Sequence, residues 1–140
     1  MRNFKINKIF GEGYERWAYV TIDNFQEEIC VHFLEYDEYL ENTNRSSKRE
    51  IVNIIQGNLR ISLVTEFHYA DELINGYWQK HNNSSNITAI GKVKEILGGD
   101  SVKCEIEGLG DDILVEFETD IKVEVDSFIK IEGSLELDLE

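Results

Sequence analysis

Ile29-Cys30-Val31-His32-Phe33 and Ile113-Leu114-Val115-Glu116-Phe117 carry the same alternation of apolar residues at positions 84 apart. The match runs without a gap over residues 6–36 and 90–120. Ile6-Asn7-Lys8-Ile9 falls on Ile90-Gly91-Lys92-Val93, Ile22 on Ile106, and Glu27-Glu28 on Asp111-Asp112. Further on the offset becomes 76, and Ile55-Gln56-Gly57-Asn58-Leu59-Arg60-Ile61-Ser62-Leu63 falls on Ile131-Glu132-Gly133-Ser134-Leu135-Glu136-Leu137-Asp138-Leu139. A period-2 pattern written twice reads as a duplicated β unit.

Alternation predicts strands near 4–10, 16–24, 28–36 and 51–64, and again near 88–97, 101–108, 112–119 and 127–139. Gly98-Gly99-Asp100 and the run Gly108 to Asp112 are expected to supply positive φ at tight turns, with Asn24 to Glu27 at the turn equivalent to the second. Ile113, Val115 and Phe117 are expected inside, as are Leu135, Leu137 and Leu139. Glu116, Glu118, Glu136 and Asp138 are expected to form an outward acidic wall. Cys30, His32 and Leu34 take the equivalent outward places in the first half. That face is expected to be covered by Phe67, Tyr69 and Trp78 or by a second subunit.

The expected organisation is a first β unit over 1–64, an aromatic-rich connector over 65–87 and a second β unit over 88–140, packed as one globular domain. A free unit of about 50 residues buries too little surface to stand alone. Residues 40–47 read as a polar surface loop. Phe67 to Ile74 reads as a short helix ended near Gly76, one of at most one or two in an otherwise all-β chain.

The second half, with Gly91-Lys92-Val93 in a curved first strand and Phe128-Ile129-Lys130-Ile131-Glu132-Gly133-Ser134-Leu135 in a closing strand, resembles the small Greek-key barrels called OB-folds. The resemblance implies tandem OB-like barrels. It departs from that family in lacking a clear helix between strands three and four and an obvious fifth strand. One joint eight-stranded barrel or sandwich is the competing architecture.

The 28 acidic and 14 basic residues leave a net charge of −14. Residues 88–140 hold 15 acids against 5 lysines, so most of the excess lies there. Such a field repels phosphates and attracts cationic partners. Nucleic-acid binding would need a basic groove interleaved with aromatics, and no direct nucleic-acid contact is expected. Cys30 and Cys104 occupy strand positions that the other half fills with aliphatic residues. Buried thiols in a reducing cytoplasm are therefore expected. No stretch approaches a membrane span and no secretory leader is read.

No enzyme motif is present: no Gly-x-Ser-x-Gly, no His-Glu-x-x-His, no phosphate loop and no Cys-x-x-Cys. No catalytic, cofactor or metal residue is assigned. His68 beside Asp71 and Glu72 is the nearest approach to a metal cluster. The expectation is a non-enzymatic acidic binding protein. Its most concrete form is a bacterial immunity protein against a basic nuclease-type toxin, with Glu116, Glu118, Glu136 and Asp138 standing in for phosphates and Tyr77 and Trp78 as anchors. The alternative is a small-ligand or structural OB-like module whose cavity is lined by Tyr69 and Trp78.

Overall fold

Side chains of a strand point alternately to its two faces; burial alternates along the ninth strand, and along the third except at Cys30, which is buried as well. Val31 and Phe33 are inside in one, and Ile113, Val115 and Phe117 in the other. The computed structural model describes residues 2–22, 27–41 and 54–139. Among these the strands are β1 (Arg2–Glu12), β2 (Glu15–Ile22), β3 (Glu28–Leu34), β4 (Ile54–Val64), β5 (Phe67–Tyr69), β6 (Gly76–Trp78), β7 (Asn86–Ile96), β8 (Ser101–Ile106), β9 (Gly110–Phe117) and β10 (Phe128–Leu139). The chain is all-β, and no α-helix occurs among the described residues.

The chain forms two compact units that do not follow chain order. The first holds residues 1–58, 81–85 and 136–140, and the second 59–80 and 86–135. This differs from the division at 64 and 88 read from the sequence, because β4 and β10 each belong to both units. Strands of 11 and 12 residues are long enough to serve twice.

In the first unit β1 pairs antiparallel with β2, β2 with β3, and β1 with the start of β4. The end of β10 lies parallel to β3 through Glu136 and His32, and β10 also pairs with β4. Each of the five strands thus has two neighbours. In the second unit β7 pairs antiparallel with β8, β8 with β9 and β7 with the start of β10, and the end of β4 runs parallel to β9 through Arg60 and Leu114. The second unit also holds β5 and β6, paired with β10 and β7. The end of β4 serves the second unit and the end of β10 the first. Pattern reading sees four strands per half because the strand break is tertiary and leaves no local mark.

The close approach of β4 and β10 explains Gly57 and Gly133, which stand 76 residues apart. A Cβ at Gly57 would run into the carbonyl oxygen of Asp138, and one at Gly133 into that of Ser62. The 84-residue offset holds in the second hairpin of each half, where Trp17 faces His32 and Ser101 faces Glu116. It fails in the first hairpin. Ile9 faces Ala18, whereas Val93 faces Cys104 instead of Val102, and each hairpin has its own irregularity, at Ile6/Lys8 and at Val93/Glu95. A bulge moves register without altering the apolar pattern, so side-chain alternation alone does not reveal the slip.

The helix expected over 67–75 is a correction. Phe67–Tyr69 pairs with β10, Glu72–Ile74 is one 3-10 turn, and Gly76–Trp78 pairs with β7. Phe67 and Tyr69 alternate, and sheet pairing satisfies more of this backbone than an isolated helical turn would. Gly108 has the expected positive φ (82°), but Gly98 and Gly99 do not. A Cβ at Gly99 would lie 2.8 Å from the Asp120 carboxylate, an exposed side chain that can shift away. Leu40, read as the start of a polar loop, is buried and bridges Gly13. Glu41 is exposed, and residues 42–47 of that loop and the turn at 24–26 lie outside the described residues.

Candidate functional site

The first unit carries a fully buried arginine. Arg16 on β2 faces Gly11 on β1. A Cβ at Gly11 would come within 2.7 Å of Arg16 Cδ and 3.0 Å of Nη1, so the glycine is the slot in which the side chain lies. Arg16 Nη1 donates to the carbonyls of Gly13 (2.8 Å) and Glu15 (2.9 Å). Nη2 donates to the Glu38 carbonyl and pairs with its carboxylate at 3.3 Å. Nε is buried without a partner. Burying a guanidinium costs several kcal/mol unless its donors are satisfied. Here the donors clamp the β1–β2 turn to the segment after β3.

The clamp orders three tyrosines. Gly13 and Leu40 exchange backbone hydrogen bonds at 2.6 and 2.9 Å, and Glu35 N donates to the Tyr14 carbonyl at 2.8 Å. Tyr14 then meets Tyr39 edge-on at 5.1 Å and Tyr36 at 5.9 Å between ring centroids. All three remain in solvent, with exposures of 44% for Tyr14, 72% for Tyr36 and 62% for Tyr39. Within the two segments, 12–16 and 34–41, stand Glu12, Glu15, Glu35, Asp37, Glu38 and Glu41, against Arg16 as the one base. The sequence reading missed Arg16 and did not bring these three tyrosines together. The available signal was the small-residue gap at Gly11 opposite a long cation across a two-residue turn.

His32 occupies the parallel seam of the same unit. Its Nδ1 lies 2.7 Å from Glu136 Oε1, its Nε2 lies 3.3 Å from Glu15, and its ring stands 5.2 Å from Trp17. The hydrogen bond to Glu136 leads in raising its pKa above the usual 6.5, partly opposed by burial. The matching seam of the second unit holds Arg60 Nη1 3.0 Å from Glu116 Oε1. Arg60 and Glu136 are 76 residues apart, and His32 and Glu116 are 84 apart. Both offsets read from the sequence therefore meet in these two ion pairs, with the charges exchanged between strands.

The acidic wall resolves accordingly. Glu116 and Glu118 belong to the second unit, Glu136 and Asp138 to the first. Glu116 and Glu136 are engaged in the seams, and Glu136 is half-buried, which corrects the expectation of an outward acid there. Glu118 and Asp138 are exposed. Tyr77 is half-buried against Gly108, and Trp78 is 46% exposed. On the face of Cys30, His32 and Leu34, Cys30 is buried and His32 half-buried, and none of the expected aromatic rings is the one beside His32. Tyr69 and Trp78 are exposed, Phe67 packs against Phe117 at 6.1 Å, Leu34 is exposed, and the ring beside His32 is that of Trp17.

Both cysteines are buried and reduced. Burial pushes the Cys30 thiol up to about 11, with Glu28 adding to the shift, and the Cys104 thiol up to about 12. Asp71 caps the 3-10 turn by accepting from Leu73 N at 2.9 Å, and His68 lies 3.6 Å from Glu66 on an exposed surface. No group of three or more His, Cys, Asp or Glu is placed to hold a metal ion among the described residues. A cavity of about 500 Å³ is lined by Thr65, Glu66, His68, Lys130, Ile131 and Glu132. Its lining is polar and apolar in about equal measure, and it includes neither Tyr69 nor Trp78. No helix among the described residues is long and apolar enough to cross a membrane. No protein-family model, curated protein or solved structure matches the chain.

Proposed function

We propose that this chain is a non-enzymatic binding protein for a cationic protein. In its most concrete form it is a cytoplasmic bacterial immunity protein that neutralises a basic nuclease-type toxin. The supporting observation is where the surplus acids lie. Asp111, Asp112, Glu118, Glu124, Asp126 and Glu132 of the acid-rich second half are all exposed. The acids engaged in ion pairs at the parallel seams are Glu116 and Glu136. A solvent-facing field of one sign accelerates encounter with an oppositely charged partner and makes the rate fall with salt.

The test is calorimetry and stopped-flow binding of the full chain to octa-arginine and octa-lysine peptides at 20 and 300 mM salt. A nuclease assay on any basic protein retained from the source lysate accompanies it. The reading expects peptide binding that weakens at least about tenfold across that salt range, since counterions compete for each charge, and suppression of the retained protein's nuclease activity. Absence of binding to either peptide at low salt overturns it. Binding to a basic nuclease that leaves its activity intact overturns the immunity role.

A further inference from the structure

We infer that the Tyr14–Tyr36–Tyr39 cluster is the docking platform for arginine side chains of the cationic partner, an inference that rests on the function proposed above. Three observations converge on it. The first is exposure: Tyr36 and Tyr39 each meet the ring of Tyr14, and all three rings stand largely in water. Contiguous exposed aromatic surface on a protein marks a recognition site more often than chance placement, and tyrosine is among the residues that dominate interface energetics.

The second is rigidity. The rings are carried on two backbone segments tied by the Gly13–Leu40 and Glu35–Tyr14 hydrogen bonds and clamped from beneath by Arg16. Gly13, at φ 61°, makes the turn and lies under Tyr39, whose Cε2 would be 3.5 Å from a Cβ there. A platform ordered before its ligand arrives loses less entropy on binding. A fully buried arginine is a costly device for a turn with no further duty.

The third is charge. The rings emerge between exposed Glu12, Glu15, Asp37 and Glu41, while Arg16, the base of these segments, is entirely enclosed. The face of an aromatic ring attracts cations, and a guanidinium stacks on it while its N–H fork reaches neighbouring carboxylates. Lysine supplies the same charge without the planar stack. A nucleic acid would meet repulsion from the same carboxylates.

The experiment compares octa-arginine with octa-lysine on the full chain and on a Tyr36→Leu/Tyr39→Leu variant, which keeps apolar area and removes two rings. Binding is read by calorimetry and by tyrosine ring NMR signals. The inference expects octa-arginine to bind about fivefold more tightly than octa-lysine, as one or two exposed stacking contacts give. It expects shifts in the Tyr14, Tyr36 and Tyr39 signals, and a ratio near one in the variant. Octa-arginine binding that leaves these signals unmoved, or an unchanged ratio in the variant, overturns the platform while the cationic-partner function stands. Failure of both peptides to bind overturns both. Tyrosine shifts with a single-stranded oligonucleotide alone, or a dimer that the variant converts to monomer, also refutes the platform by assigning it to another occupant. A Tyr36→Phe/Tyr39→Phe variant, which keeps the rings, should retain the preference for arginine and so guards against a folding defect.

Discussion

Replacing Glu136 by Gln tests the seam between β3 and β10. Among the described residues the two strands are joined by a backbone bridge at His32 and Glu136 themselves, and by the 2.7 Å side-chain contact between them. A hydrogen bond to a charged partner is worth roughly 1.5–3 kcal/mol. Both side chains retain some solvent contact, so screening brings the expected contribution to about 1–2 kcal/mol. The sign follows from the direction of the shift. Folding raises the His32 pKa above 6.5, so the ion pair contributes in full below about pH 6.5 and is lost as pH rises through the folded value. Urea unfolding of parent and variant from pH 5.5 to 9, followed by Trp17 fluorescence, measures it. The difference between the two proteins should be largest at the acid end and narrow as pH rises. Glu15, the other carboxylate on the ring, remains in both and cancels in the comparison. Parallel stability curves for the two proteins would refute the assignment. The Arg60–Glu116 pair serves as the control: Glu116→Gln should cost at most about 1 kcal/mol, with no change in that cost over the same pH range.

Gly11→Ala should destabilise the first unit by roughly 1–3 kcal/mol through overpacking against Arg16. Arg16→Met, which removes the guanidinium's bonds to the Gly13, Glu15 and Glu38 carbonyls and to the Glu38 carboxylate, should cost about 3–5 kcal/mol, read by thermal melting together with tyrosine NMR signals. Cys30 and Cys104 should resist a thiol-exchange reagent at pH 8 in the native protein and react fully in denaturant, because both thiols titrate far above that pH; rapid native labelling would contradict their burial. Trp78→Ala should cost no more than about 1.5 kcal/mol, since nearly half of the side chain is already in water, whereas a core aromatic loses about 3–5 kcal/mol. A larger loss in the melt would show that Trp78 is buried in solution.

The two exchanged ion pairs show how far a one-dimensional pattern reaches. Offsets of 84 and 76 placed His32 opposite Glu116 in the repeat and Arg60 opposite Glu136, and the fold sets those four side chains at corresponding seams. The same alternation, however, assigned Glu136 to an outward wall. Alternation tells which face a residue takes, and says nothing about whether that face meets water or a neighbouring strand's side chain. The aromatic platform lay beyond pattern reading for a related reason. Tyr14 is 22 residues from Tyr36 and 25 from Tyr39, and only the backbone pairing of Gly13 with Leu40 brings the three rings together.

The amino-acid sequence by itself determined the all-β class, eight of the ten strands to within a few residues over the described positions, the burial of both cysteines and the sign of the electrostatic field. Each depends on local alternation or on a sum over composition, and neither needs a partner distant in the chain. Tertiary structure alone decided the sharing of β4 and β10 between the two units, the slipped register of the first hairpin, the pairing of residues 67–69 and 76–78 as strands, and the buried Arg16 beneath its tyrosines. Those features depend on which long-range partner satisfies a backbone group or a buried charge. That competition is settled by packing between segments tens of residues apart.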